Sequence, residues 1–237
     1  MQAWLKGAIF AVFGAVCALP AMAQSVVVVE LYTSQGCSSC PPADRFLTEI
    51  AQRDDVIALG LHVDYWDYLG WEDDLAHSAF TERQAEFNTR MKSRYRLVTP
   101  QLIFHGRDYV AGATQKKRRM AADYIEKLAA EQEKAALTVV RDGTAARIVV
   151  EAVPGQSAPA DVHMVRYEPS ISRDIRRGEN AGTKIEYTNT VTEWRTLGSW
   201  NGQSRLEKQV TLEGGDHWVV IVQTRNLGPV LAARRIE

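Results

Sequence analysis

The stretch SVVVVELYTSQGCSSCPPADRFL, residues 25–47, decides the fold prediction. Its first part, Ser25 to Tyr32, is a β-branched run of the kind that forms a strand covered on both faces. Pro41 and Pro42 cannot continue a strand, but proline suits the first turn of a helix. The apolar residues that follow them recur at helical spacing. The stretch therefore predicts a buried strand, a short polar loop and a helix.

Further along the chain, residues 56–63 form a second run of the buried-strand type. A strand, a helix and a second strand in succession imply a parallel pair joined by a right-handed crossover. Helices are predicted over 78–94 and 114–134, and HGRD at 105–108 is a hairpin signature between them. The order β-α-β-α-β-β-α predicts an α/β domain over residues 24–136.

The pattern of the sequence changes after residue 136. Six short β-type segments follow, separated by turn pairs such as Asp142-Gly143 and Asn201-Gly202, and little of this part has a helical period. We expect a second, all-β domain over residues 137–237, with a sandwich-like arrangement of its strands.

The composition of the chain is that of a globular protein. Of its 237 residues, 46% are hydrophobic and 24% are charged, which excludes disordered and collagen-like classes. The 28 basic and 29 acidic residues give a formal net charge of -1. This balance implies no strong attraction to a polyanion, so we expect no nucleic-acid partner.

Residues 1–23 have the pattern of a secretory signal peptide. Lys6 provides a positive charge, an apolar run follows it, and Ala21-Met22-Ala23 matches a signal peptidase site. A retained membrane anchor is the alternative. We expect a periplasmic or secreted protein that has no membrane association after cleavage and that keeps two cysteines, Cys37 and Cys40.

The two remaining cysteines form the motif Cys37-Ser38-Ser39-Cys40. Two intervening residues let the sulfurs meet across one helical turn, and the positive end of the helix dipole favours the thiolate form. We therefore expect an accessible Cys37 to act as the nucleophile and Cys40 to resolve the mixed disulfide. This chemistry is that of a thiol–disulfide oxidoreductase acting on protein or small thiol substrates. It needs no bound cofactor, only a redox partner protein.

Other uses of the two cysteines stay open. The pair could be a redox-inert structural disulfide in an interaction module, half of a zinc site, or a copper site in a periplasmic binding protein. A tetrahedral zinc needs four ligands, and the sequence offers no second cysteine pair. Soft thiolates suit Cu(I), so copper is the stronger metal alternative, but we assign no metal ligand.

Thr99-Pro100 is the second candidate element, because it directly precedes a predicted strand. A cis peptide bond there would bring its loop beside the dithiol, where the Thr99 backbone could pair with a substrate peptide. An ordinary trans proline is the alternative. Trp66 lies in an aromatic stretch that could form a groove for a protein substrate or simply pack in the interior. We name Thr99, Pro100 and Trp66 as candidate substrate-binding residues.

The segment from His62 to Tyr68 starts where the second predicted strand ends. In a parallel pair this end lies beside the end of the first strand, close to Cys37. We name Asp64 or His62 as a possible proton acceptor for Cys40. The alternative is that Asp64 only caps a turn.

The motifs together resemble those of the thioredoxin superfamily in its compact, glutaredoxin-like form. Residues 30–44, 62–71 and 99–101 are more closely similar to a family of secreted bacterial thioredoxin-like proteins of unknown function, and residues 178–182 add to that similarity. The resemblance implies a thioredoxin-like fold for residues 24–136. The Ser-Ser pair between the cysteines differs from the Gly-Pro of thioredoxins proper, so the resemblance carries over no redox potential.

Overall fold

A computed structural model describes residues 25–155 and 158–237. The predicted signal peptide, residues 1–23, lies outside the described residues. Strands make up 44% of the described structure and helices 19%, so the protein is mostly β.

The first half of the chain alternates strands and helices. Its elements are β1 (Val27–Thr33), α1 (Pro41–Ile50), β2 (Val56–His62), a 3-10 helix (Asp67–Leu69), α2 (Ser78–Arg90), β3 (Gln101–Phe104), β4 (Asp108–Ala111) and α3 (Gln115–Ala129). The described part of the second half is built from strands. They are β5 (Ala135–Asp142), β6 (Ala145–Ala152), β7 (Ala160–Ile175), β8 (Thr183–Trp200), β9 (Leu206–Thr211), β10 (Trp218–Thr224) and β11 (Val230–Ile236).

The strand order near the start of the chain follows the local sequence pattern. All seven residues of β1 are buried, as a continuous apolar run requires. β1 pairs in parallel with β2, from Val27 opposite Val56 to Thr33 opposite His62. On its other side β1 pairs antiparallel with β3, which forms a hairpin with β4. The predicted β-α-β unit and hairpin are therefore confirmed as local units.

The predicted fold class is wrong. One mixed sheet of eight strands runs in the order β11-β10-β7-β8-β2-β1-β3-β4, so strands of both halves share it. The junction is the pairing of β8 with β2, where Gly60 lies opposite Thr190. The protein is not a thioredoxin-like α/β domain followed by a separate all-β sandwich. Without β8, the edge of β2 that faces away from β1 would leave its backbone N–H and C=O groups unpaired. β8 covers this edge. The proposed boundaries, 24–136 and 137–237, stay a prediction.

A smaller antiparallel sheet, β5-β6-β9, packs over the end of the large sheet that holds β7, β10 and β11. Trp218 and Val220 of β10 and Ile148 of β6 are buried between the two sheets. The buried cluster between the sheets is made of apolar side chains, and the Arg166 and Arg195 guanidinium groups lie over the Trp218 ring. This cluster forms the end of the molecule that lies away from the two cysteines.

A long hairpin connects the two ends of the molecule. β7 and β8 pair from Ala160 opposite Trp200 to Ile175 opposite Thr183. The connecting turn, residues 176–182, is called the hairpin tip below. Gly178 and Gly182 have φ angles of +75° and +81°, which glycine adopts without steric cost. The hairpin thereby carries residues of the second half to the start of α1.

Among the helices that the structure describes, none has the length and apolar character needed to cross a membrane.

Candidate functional site

Cys37 and Cys40 form a disulfide between β1 and α1. Cys40 directly precedes the helix, and Pro41 and Pro42 occupy its first positions. Proline fits there because the first N–H groups of a helix have no partner inside it. The sequence therefore places the disulfide where a strand gives way to a helix.

Both cysteines of this disulfide are buried. Cys37 is 1% exposed and Cys40 is 0% exposed, whereas Ser38 and Ser39 between them are exposed. The expectation of an accessible Cys37 is therefore wrong. A segment far away in the sequence, the hairpin tip, binds the backbone of the loop that carries the cysteines.

Two residues of the hairpin tip bind the loop directly. The Asn180 amide nitrogen donates to the backbone carbonyls of Gln35 and Cys37, at 2.9 and 3.0 Å. The Glu179 carboxylate accepts hydrogen bonds from the Ser38 N–H at 3.2 Å and from the Ser38 hydroxyl at 2.6 Å. These bonds from Ser38 lower the pKa of Glu179 below its ordinary value. The Glu179 carboxylate is thus bonded to Ser38, the residue that directly follows Cys37.

The loop after β2 also holds the hairpin in place. The Arg173 guanidinium on β7 bonds both carboxylate oxygens of Asp74, at 2.9 and 3.0 Å, which lowers the pKa of Asp74. The Trp71 indole donates to the Gln35 side chain at 2.8 Å. A Cβ on Gly178 would lie 3.3 Å from Trp71 Cβ, so tip and loop are in close contact.

The candidate substrate-binding residues Trp66, Thr99 and Pro100 lie together near the dithiol loop. The Thr99-Pro100 peptide bond is cis. The Trp66 indole donates to the Thr99 hydroxyl at 2.7 Å. On its other side, Trp66 Cβ is 3.0 Å from where a Cβ on Gly36 would lie. Trp66 therefore links the Thr99-Pro100 segment to the loop that carries Cys37.

The two candidate proton acceptors have different surroundings. Asp64 is partly buried and accepts a hydrogen bond from the Thr81 hydroxyl at 2.6 Å. His62 is buried, and its Nδ1 lies 2.7 Å from the Asp73 carboxylate. Asp73 also accepts from the Gln35 backbone and side chain, at 2.8 and 2.7 Å. Because an ionised carboxylate only accepts, it holds the proton on Nδ1 of His62.

A narrow enclosed cavity lies next to His62, between α1 and β8. Four of its lining residues each have a buried polar atom without a hydrogen-bond partner among the described residues. These atoms are Asp44 Oδ2, His62 Nε2, Tyr187 Oη and Thr190 Oγ1. Buried polar groups are normally paired, so such a cluster marks a candidate functional site.

Asp44 is the carboxylate among the residues that line this cavity. It lies one helical turn after Cys40, on the buried face of α1, and accepts a hydrogen bond from the Thr33 hydroxyl at 2.8 Å. Burial raises the pKa of Asp44 from 3.8 to about 7, although the Thr33 bond lowers it. Burial also raises the pKa of Tyr187 on the opposite wall.

Sequence reasoning missed Asp44, Asp73 and the tip residues Glu179 and Asn180. A signal existed for Asp44, because it interrupts the apolar face of α1 four residues after Cys40. No local signal could link the tip to the dithiol loop, since more than 140 residues separate Asn180 from Cys37. Within residues 25–155 and 158–237, no three His, Cys, Asp or Glu side chains are grouped so that they could hold a metal ion.

Fold and site define the class of this molecule: a mostly β protein with a buried CxxC disulfide at its first strand-to-helix junction. The chain belongs to the DUF1223 family, described as a protein of unknown function, whose model matches residues 28–223. The expected membership of a family of unknown function is confirmed.

Two solved structures are similar to this chain. A crystal structure of a protein from Agrobacterium tumefaciens has 30% identity and a TM-score of 0.74, and the match covers 91% of this chain and 96% of that one. HBP35 of Porphyromonas gingivalis has 15% identity and a TM-score of 0.55, with 90% and 74% covered. The second likeness is one of fold alone. No curated protein matches the chain.

Proposed function

We propose that the protein is an exported thiol–disulfide oxidoreductase that acts through Cys37 and Cys40 on protein or small thiol substrates. The observation that carries the proposal is the Cys37–Cys40 disulfide at the start of α1, the helix whose Asp44 belongs to a cluster of buried polar atoms without a partner in the described part of the chain. The CxxC motif at this junction resembles the active-site motif of the thioredoxin superfamily. That resemblance supports the same chemistry.

In the proposed reaction the reduced protein passes two electrons to a substrate disulfide. The Cys37 thiolate attacks one substrate sulfur, which forms a mixed disulfide and releases the other sulfur as a thiolate that takes up a proton. Cys40 loses its proton and attacks Cys37, which restores the Cys37–Cys40 bond and releases the second substrate thiolate. Every step is reversible, so a redox partner protein sets the direction of electron flow.

The proton of Cys40 needs an acceptor in this reaction. Asp44 suits the role, since it lies one turn from Cys40 and burial brings its pKa to about 7, near the ionisation range of a thiol. His62 shares the cavity with Asp44 and can take the proton on its free Nε2. Asp64 stays a predicted acceptor, although its carboxylate bonds Thr81 instead of the cavity residues.

Thr99, Pro100 and Trp66 would receive the substrate chain in this proposal. They adjoin the dithiol loop through the contacts of Trp66 with Thr99 and Gly36. An extended substrate could add its backbone to the segment at Thr99. A periplasmic or secreted location fits the same picture, because disulfides persist in oxidising compartments.

A redox-inert interaction module is the second candidate. The burial of Cys37, 1% exposed, favours it, because an inaccessible disulfide resists exchange and can serve to tie the loop to the helix.

Two cysteine variants distinguish the candidates. Cys37→Ser and Cys40→Ser lose the same disulfide, so any loss of folding is matched between them. The oxidoreductase proposal expects Cys40→Ser to accumulate a mixed disulfide with oxidised glutathione through Cys37, as measured by mass spectrometry. It expects Cys37→Ser to trap at least ten times less, because Cys40 is the resolving thiol. If both folded variants trap nothing, the redox-inert module stands instead.

The equilibrium potential of the pair against glutathione is the second measurement. A structural bond is expected below about -300 mV with negligible exchange. A higher potential with measurable exchange supports the oxidoreductase.

A further inference from the structure

The hairpin tip satisfies the backbone of the dithiol loop in the way that another polypeptide would. Asn180 donates to the carbonyls of Gln35 and Cys37, and Glu179 accepts from the Ser38 N–H. An extended peptide offers the same alternation of donors and acceptors when it pairs with a backbone. The tip therefore fills a position that suits a polypeptide.

The tip also opposes the chemistry of Cys37 by its charge. The start of α1 favours an anion, and a Cys37 thiolate would benefit from it. Glu179 places its own carboxylate there, bonded to the Ser38 N–H and hydroxyl. A negative charge beside the thiol disfavours the thiolate. Cover and charge act in the same direction, against exchange.

The attachment of the tip is of a kind that can open. Glu179 is exposed, as are Arg173 and Asp74 in part, and exposed ion pairs contribute little to stability. Gly178 and Gly182 flank the two binding residues and can absorb a change in backbone angles.

We propose that residues 178–180 occupy the polypeptide-binding site of the dithiol as a built-in blocking segment, which a substrate chain displaces before Cys37 exchanges. This inference rests on the proposed function, because it assigns that site its substrate class: an extended segment of another protein. The incoming backbone would offer a carbonyl to the Ser38 N–H and an N–H to the Cys37 carbonyl.

The first test is the rate at which a phosphine reductant, TCEP, reduces the disulfide of the full chain. Asn180→Ala removes two hydrogen bonds, and we expect reduction to be about tenfold faster than in the wild type. Glu179→Gln keeps an acceptor for Ser38 but removes the charge, and we expect a smaller, severalfold increase. Glu151→Gln is the matched control: it removes an exposed charge on β6 that pairs with Arg205 instead of the dithiol loop. Wild-type rates in both tip variants would overturn the proposal.

The second test asks whether the blocked position prefers a polypeptide. Reduction of the wild-type disulfide by an unstructured decapeptide with one cysteine is compared with reduction by 2-mercaptoethanol. A peptide can displace the tip with its own backbone, so it should react faster per thiolate. Asn180→Ala should shrink that advantage, since a small thiol gains more from an open site. An equal gain for both thiols would overturn the assignment of a polypeptide site.

These outcomes are separable from those of the proposed function. TCEP reduction requires no turnover, so faster reduction in the tip variants shows that the tip limits access to the disulfide whether or not Cys40→Ser traps glutathione. Without trapping, the proposed function fails and the assignment of a substrate site fails with it. Conversely, trapping in Cys40→Ser together with unchanged TCEP rates in the tip variants keeps the oxidoreductase and rejects the blocking segment.

Discussion

The two ends of the large sheet differ in the polarity of the side chains buried against them. At the β10 end, Trp218, Val220 and Ile148 pack in an apolar cluster, and the guanidinium groups of Arg166 and Arg195 lie over the Trp218 ring. At the dithiol end, Asp44 and His62 are also buried, but each has a polar atom that finds no partner among the residues the structure describes. Apolar burial stabilises a fold by roughly 25 cal/mol per Å², whereas an unpaired buried polar group costs about 1–3 kcal/mol.

This difference indicates that the apolar end mainly stabilises the fold and that the polar end holds the candidate functional site. Natural chains break the rules of good packing chiefly at functional sites, where the cost in stability is offset elsewhere. The apolar end supplies that offset in this protein, and the long β7–β8 hairpin joins it to the polar end. Substitutions at the apolar end should therefore mainly change the free energy of unfolding. Substitutions at the polar end should mainly change the reactivity of the disulfide.

Trp218→Ala should show the largest effect on stability. Removing this buried indole from the apolar core should lower the free energy of unfolding by about 3–5 kcal/mol. The rate of disulfide reduction by TCEP in the folded variant should stay within twofold of the wild type. Urea unfolding measures the first quantity, and Val140→Ala, at an exposed site, is the control. A large rise in the TCEP rate would show that the two ends are not independent.

Asp44→Asn should act in the opposite direction. The unfolded chain ionises this group near pH 3.8, but the folded protein keeps it protonated up to about pH 7. Stability should therefore fall as pH rises from about 4 to about 7, by an amount of about 4 kcal/mol. The asparagine variant keeps an acceptor for Thr33 and loses this penalty, so it should be more stable at pH 8.

The pH dependence makes this expectation specific. Urea unfolding of both proteins at pH 4 and pH 8 should show similar stabilities at the lower pH and a gap of a few kcal/mol at the higher one. The variant should also exchange disulfides more slowly if Asp44 accepts the proton of Cys40. A variant that is less stable at pH 8 would contradict the account of the polar end.

Arg173→Ala should change stability by less than about 1 kcal/mol, because its pair with Asp74 is largely exposed. It should nevertheless speed TCEP reduction a few-fold, since the pair helps hold the hairpin near the disulfide. Arg205→Ala, which breaks an exposed pair with Glu207 at the far end, should leave the reduction rate unchanged. Equal effects of the two substitutions would remove Arg173 from the attachment of the hairpin.

Local sequence patterns correctly predicted the secondary-structure elements near the start of the chain. The β-branched run, the paired prolines and the apolar stripe of α1 specify strand, loop and helix over residues 27–50, and the structure has these elements. The cysteines and the Thr99-Pro100 segment are brought to the same region by β1 and β3, which are neighbours in the sheet. The elements follow from hydrophobic periodicity and turn residues, whereas the position of Thr99-Pro100 beside the dithiol was predicted from the element order and for a cis bond.

The joining of the two halves could not be predicted in the same way. β2 and β8 pair where Gly60 lies opposite Thr190. The sequence around neither residue indicates which strand will be its neighbour. A strand with one unsatisfied edge needs a neighbour, but periodicity does not say which. The hairpin tip bonds the dithiol loop from the position that this junction gives to β8 in the sheet. One unpredictable pairing therefore explains the error in fold class.

A substitution of Tyr68 should have the smallest effect on stability, and it tests from which side a protein substrate approaches the disulfide. Its side chain is 81% exposed, on the 3-10 helix two residues after Trp66. Tyr68→Ser should change stability by less than about 0.5 kcal/mol, and TCEP reduction should be unaffected. If a protein substrate approaches beside Trp66, an exposed aromatic there adds contact area, and exchange with the single-cysteine decapeptide should slow severalfold. Val140→Ser, at the apolar end, should leave both rates unchanged, and an equal result for the two variants would mean that substrates reach the disulfide from another side.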